Sequence, residues 1–125
     1  MPKYAFGELE AAIMEIVWHR GWLTVREVVE ILRPQRRAAY TTVMTVMNRL
    51  AEHAVLERQP TSSGAYRYNA RYTREEYSTR ASKHSIEELV RRYGDVALVQ
   101  FLDKLDRVPG DKMNRLRKQL RHDRS

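Results

Sequence analysis

The strongest constraint on this chain is the order in which its apolar spacing changes. Three stretches in the first fifty residues repeat at helical spacing, two short stretches then alternate as strands do, and helical spacing returns from Thr73 onward. Few small folds accommodate that order. In the first stretch Leu9, Ala12, Ile13, Ile16 and Val17 share one helical face, Glu8, Glu10 and Glu15 lie mostly outside it, and Gly21 is a natural stop. Thr24-Val25-Arg26-Glu27 reads as a capping box, and Val25, Val28, Val29 and Leu32 form the stripe of a shorter helix ended by Pro34.

A basic loop, Gln35-Arg36-Arg37, leads into AAYTTVMTVMNRL at residues 38–50. At 100° per residue, Val43, Val46, Met47 and Leu50 fall in one sector, Thr41, Thr45, Asn48 and Glu52 lie opposite, and Thr42, Met44 and Arg49 flank them. β-Branched residues are poor intrinsic helix formers, so packing on the inner face must hold this helix together. Residues 55–59 and 65–69 then alternate around PTSSG at 60–64, which predicts a β-hairpin. Beyond it, Tyr77, Ala81, Leu89, Val90 and Tyr93 mark a long helix interrupted near Gly94. A helix over 95–106 carries Leu98, Phe101, Leu102 and Leu105 on one face, and a last helix follows Pro109 with Met113, Leu116 and Leu120.

Charge narrows the function. The 125 residues carry a net +7, unevenly: residues 1–32 hold 3 basic and 5 acidic groups, residues 33–71 hold 7 and 2, and residues 72–125 hold 13 and 9. The middle segment is the electropositive one, and it contains the third helix and the hairpin. A polyanionic partner is expected there. There is no cysteine, so disulfides and thiolate metal sites are excluded. His19, His53, His84 and His122 make no i, i+4 pair, so no metal and no cofactor are expected. G-x-S-x-G, Walker and H-E-x-x-H motifs are all missing, which predicts that the chain is not an enzyme. The acidic residues in the first apolar run argue against a signal peptide or membrane insertion, and a cytoplasmic location is expected.

These readings converge on a mainly α chain: an N-terminal winged helix-turn-helix at residues 1–72, made of three helices and a β-hairpin wing, then a helical dimerisation region at 73–125. In that fold the third helix enters the major groove of double-stranded DNA and the wing touches flanking backbone. Thr41, Thr42 and Thr45 offer hydroxyls to phosphates or base acceptors and methyls to thymine. Asn48 has the donor and acceptor to pair with adenine, Arg49 can reach phosphate or guanine, and Met44 sits at the flank or meets a thymine methyl. Arg36 and Arg37 precede this helix, and Arg58, Ser62, Ser63 and Arg67 are the wing's candidates for phosphate. Tyr66 and Tyr68 share one strand face, where they either cover the core or join the wing contacts.

Roughly fifty residues cannot bury three narrow apolar stripes without a partner. A homodimer through Tyr77, Leu89, Val90, Leu98, Phe101, Leu102, Leu105, Leu116 and Leu120 resolves this, and sets two recognition helices one DNA turn, or a multiple, apart. Two rival readings stay open: an architectural protein that binds DNA without sequence preference, and a winged-helix module that binds protein.

FGELEAAIMEIVW, TVREVVEIL, AYTTVMTVMNRL and the wing ending in YRYNA together resemble the BlaI/MecI family of penicillinase repressors over nearly the whole chain. The resemblance implies a dimeric transcriptional repressor on a palindromic operator, at the promoter of a β-lactamase or related resistance gene. It further implies a partner, a membrane sensor with a cytoplasmic zinc-protease domain, which triggers cleavage of the repressor, commonly at an Asn-Phe bond. Here ALVQFLDKL places Gln100-Phe101 at that position. Phe101 belongs to the apolar stripe, so cutting this bond requires the helix to open locally first. Copper-responsive relatives carry a cysteine-rich motif that has no counterpart in this chain.

Overall fold

Helix capping and one buried seam explain the local structure. The computed structural model describes residues 6–124. Helix α1 spans Glu8–Arg20, strand β1 Leu23–Thr24, α2 Val25–Leu32, α3 Tyr40–Glu52, β2 Leu56–Pro60, β3 Tyr66–Ala70, α4 Arg74–Tyr93, α5 Asp95–Asp106 and α6 Gly110–Arg124. The chain divides into two compact units, one ending at His84 and one beginning at Ser85.

In the first unit, Gly21 closes α1 at a positive φ of 83°, a conformation that favours glycine. Thr24 then starts α2 as the capping box predicts. Its hydroxyl accepts from the Glu27 amide at 3.2 Å, and the Glu27 carboxylate accepts from the Thr24 amide at 2.9 Å. Pro34 lies two residues past the end of α2.

The predicted inner face of α3 is buried in full: Val43, Val46, Met47 and Leu50 join Ile13, Val17, Val28 and Leu32 in one core. Met14 is buried as well, whereas Leu9, Ala12, Ile16 and Val29 are only partly so. The apolar face of α1 is therefore turned from the predicted one by the extra burial of Met14.

The wing carries a strand that alternation did not reveal. Leu23 pairs with Tyr68 and Thr24 with Arg67, so the hairpin becomes a three-stranded antiparallel sheet in the order β1-β3-β2. Two residues are too few to show a period, and their pairing partners lie more than forty residues away. The hairpin strands themselves begin one residue later than predicted. Thr61 and Gly64 close the turn through Gly64 N–H to Thr61 O at 3.0 Å, with Gly64 at φ 91°.

Tyr77 corrects an expectation. The sequence puts it on the dimerisation face, yet only 7% of it is exposed, and its ring stacks on Phe6 at 4.6 Å with Trp18 beside it. Trp18 in turn donates from its indole N–H to the Tyr72 carbonyl at 2.9 Å. An aromatic cluster thus fastens the first turns of α4 to α1, and Tyr77 is a core residue of the first unit. At the start of that helix the Thr73 backbone N–H, and secondarily its hydroxyl, hold the Glu76 carboxyl below the usual carboxylate range.

The second unit has little interior of its own. Among the described residues after His84, Ala97 alone is buried. Gly94, at φ 62°, separates α4 from α5. Leu98, Leu102 and Leu105 of α5 and Leu116 and Leu120 of α6 all lie exposed, as does Leu89 of α4, while Phe101 and Val90 are half-buried. The ion pairs Asp103–Arg107 and Asp111–Arg115, at 3.6 and 3.8 Å, are solvent-exposed i, i+4 contacts that contribute little stability.

No helix among the described residues is long and apolar enough to cross a membrane.

Candidate nucleic-acid interface

Packing on one side of α3 determines what its other side can present. With four side chains locked into the core, Thr41, Thr42, Met44, Thr45 and Arg49 are all exposed on the opposite half, in the positions that the sequence predicts. Short side chains at Thr41 and Thr45 keep that surface low, so a groove wall can approach the helix closely.

Beside this face runs an open groove of about 610 Å3 between α3 and the wing. Met44 and Asn48 line it from the helix, Arg58, Ser63 and Tyr66 from the wing. Arg58 belongs to the helix side of the sheet: its guanidinium lies 4.5 Å from the centre of the Tyr66 ring and donates to the Asn48 side-chain oxygen at 3.0 Å. The groove also reaches Thr24 and Arg26 at the start of α2 and Tyr40 at the start of α3. Sequence reasoning missed Arg26 and Tyr40. Tyr40 was legible, being one turn before Met44 on the same strip; Arg26 needed the fold to bring it near.

Other predicted residues are placed differently. Arg67 packs its guanidinium 5.1 Å from the Trp22 ring and donates to Gln59 across the strand pair at 3.0 Å, on the sheet face away from Arg58. Arg36 is half-buried and pairs with Glu8 of α1 at 3.4 Å, so an acidic neighbour already takes part of its charge. Ser63 shares a 2.9 Å hydrogen bond with Thr61, while Ser62 is exposed at the tip. Tyr66 and Tyr68 share a face as expected and divide its two roles: Tyr68 is a core residue and Tyr66 is exposed.

Two polar side chains on α3 are also not what the sequence suggests. The Thr45 hydroxyl donates to the Thr41 carbonyl at 2.9 Å, so outward it offers a methyl group and an acceptor oxygen rather than a proton. Asn48 is half-buried, and its oxygen accepts from both Arg58 and the Tyr68 hydroxyl.

The charge balance favours an anion here. Glu8 and Glu15 of α1 are occupied by Arg36 and Arg74. Among the described residues, Arg26, Arg37 and Arg49 form no ion pair; Glu27 and Glu52 of the same two helices form none either, so the free groups of the α2–α3 surface keep a small positive excess. No cluster of three or more metal-binding side chains occurs among the described residues.

Residues 6–122 match the family model described as penicillinase repressor. The chain belongs to the penicillinase repressor family. As a member it is a transcriptional repressor, built on a winged-helix domain. It is 35% identical over 116 residues to the transcriptional regulator BlaI of Mycobacterium tuberculosis strain H37Rv, a match covering 91% of this chain and 81% of that protein.

Solved structures agree on the fold. The DNA-binding domain of the repressor BlaI superposes with a TM-score of 0.51 at 18% identity, covering 61% of this chain and 89% of that one. The monomeric form of Bacillus licheniformis BlaI, in complex with the blaP half-operator, gives 0.50 at 18% identity, covering 59% and 89%.

Proposed function

We propose that this repressor acts as a homodimer on a palindromic operator in double-stranded DNA, at the promoter of a β-lactamase or related resistance gene. The observation that carries the reading is the outer face of α3, where Thr41, Thr42, Thr45 and Arg49 stand exposed beside a wing groove edged by Arg58. Side chains of this kind read base edges and methyl groups, while arginines on both sides hold the phosphates. The monomeric form of the B. licheniformis protein binds a half-operator, which supports DNA as the partner of this fold. Arg37, Met44 and Ser62 extend the contact surface, with Arg67 and Arg36 as weaker contributors because Trp22 and Glu8 already engage them.

Hydroxyl-radical footprinting of the full chain on its own promoter fragment tests this reading. Two protected half-sites, about 10 base pairs or a multiple apart and related by a two-fold axis, are expected. Continuous protection without a period, or one isolated half-site, contradicts it.

The second copy covers the exposed leucines of α5 and α6. A membrane sensor metalloprotease is the proposed source of the inducing signal, and cleavage falls between Gln100 and Phe101. That bond sits inside α5, with Phe101 half-buried, so opening of the helix precedes the cut. Mass spectrometry of the repressor from induced cells is expected to show a new C-terminus at Gln100; a chain that stays intact while the gene is expressed removes this step from the account.

A further inference from the structure

The side-chain oxygen of Asn48 is surrounded by donors. Tyr68 donates its hydroxyl to it at 2.6 Å and Arg58 donates from Nη1 at 3.0 Å. A guanidinium has no acceptor, so the atom facing it must be oxygen, and the orientation of the Asn48 amide follows. A carbonyl oxygen has two lone pairs, and both are used. Bidentate pairing with adenine needs that oxygen to accept from the base, so in this arrangement Asn48 cannot read adenine as the sequence suggests. It keeps only its NH2 group for DNA.

The same three residues join two elements. Asn48 is on α3, whereas Arg58 and Tyr68 face each other across the β2–β3 pair. The Tyr68 ring is 2% exposed, so its hydroxyl is a fixed point on the core. Arg58, in contrast, is exposed, and two contacts restrain its long side chain: the Asn48 oxygen at one guanidinium nitrogen and the Tyr66 ring beneath. An exposed arginine held in one place before DNA arrives loses less side-chain freedom on binding.

We propose that Asn48 is a positioning residue, which with the Tyr68 hydroxyl holds the Arg58 guanidinium ready for a backbone phosphate at the edge of the wing groove. This rests on the proposed reading of α3 and the wing as a DNA surface. It assigns Asn48 a part in phosphate contact, through Arg58, rather than in base recognition.

A salt titration separates the two roles. Each phosphate neutralised by a cation steepens the dependence of log K on log salt by about 0.9. Removing Arg58 as Arg58→Ala is expected to lower the slope by about that amount. Asn48→Ala removes no charge, yet is expected to lower the slope toward the Arg58→Ala value, and the double variant is expected to fall no further than Arg58→Ala alone. A merely structural role for Asn48, or base reading by it, leaves the slope unchanged. Tyr68→Phe removes the hydroxyl that donates to the Asn48 oxygen, on a residue only 2% exposed, and is expected to shift the slope in the same direction, which keeps the test open if Asn48→Ala folds poorly.

An Asn48→Ala chain that folds and keeps the wild-type slope overturns the proposal. So does a double variant whose slope falls by the two losses added together. Because the slope is measurable on any duplex, these outcomes are distinct from failure of the functional reading, in which the wild-type chain itself shows no preference for its promoter.

Discussion

Leu50→Ala is expected to lower the unfolding free energy of the first unit by about 3 kcal/mol, within the range of roughly 2–5 kcal/mol for emptying a leucine site in a packed core. Leu50 is fully buried among the side chains of α1, α2 and the wing, so the lost volume cannot be refilled by solvent. Thr45, one turn and a fraction earlier on the same helix, is exposed. Thr45→Ala is expected to change stability by no more than about 0.5 kcal/mol, because alanine's better helix propensity offsets the lost hydrogen bond to Thr41. Operator binding is expected to behave oppositely, with Thr45→Ala weakening it while the fold stays intact. Urea denaturation and DNA titration of the two variants check this together. A sharp stability loss in Thr45→Ala means that the faces of α3 are assigned wrongly.

The second large effect concerns assembly. Leu102 is 61% exposed, on the α5 face that also carries Leu98 and Leu105. Leu102→Asp is expected to convert the proposed dimer to a monomer without altering the core of the first unit, which contains no residue from α5. Two tethered recognition helices gain affinity from effective concentration, commonly 10²- to 10⁴-fold, and the variant is expected to lose about that much on the intact operator. Its affinity for a single half-site should stay near that of the wild type. Sedimentation combined with titration on both duplexes checks the pair of outcomes. A wild-type chain that sediments as a monomer at micromolar concentration contradicts the proposed dimer.

The sequence was most readable where one local rule decides the structure. The Thr24–Glu27 cap, the inner face of α3 and the helix break at Gly94 each depend on residues within a few positions of one another, and all three are found. Legibility failed where distant residues decide. Strand β1 exists because Tyr68 and Arg67 pair with it, and Tyr77 leaves the expected dimer face because Phe6 and Trp18 capture its ring.

The candidate site shows the same division. Exposure of Thr41, Thr42 and Arg49 follows from the period of the helix. That Arg36 is drawn to Glu8, that Arg67 lies against Trp22, and that the Asn48 oxygen is occupied depend on side chains between 10 and 45 residues away. Helical periodicity states which side of α3 is outward, but not which outward atoms already have partners.

Affinity of the full chain for its own promoter fragment and for a scrambled fragment of equal length, measured at physiological salt, tests sequence-specific repression most directly. The α3 face and the wing together predict a preference of about a thousand-fold or more, at the lower end of specific operator binding. Equal affinity for the two fragments contradicts the account and leaves a basic protein that holds DNA by its phosphates alone.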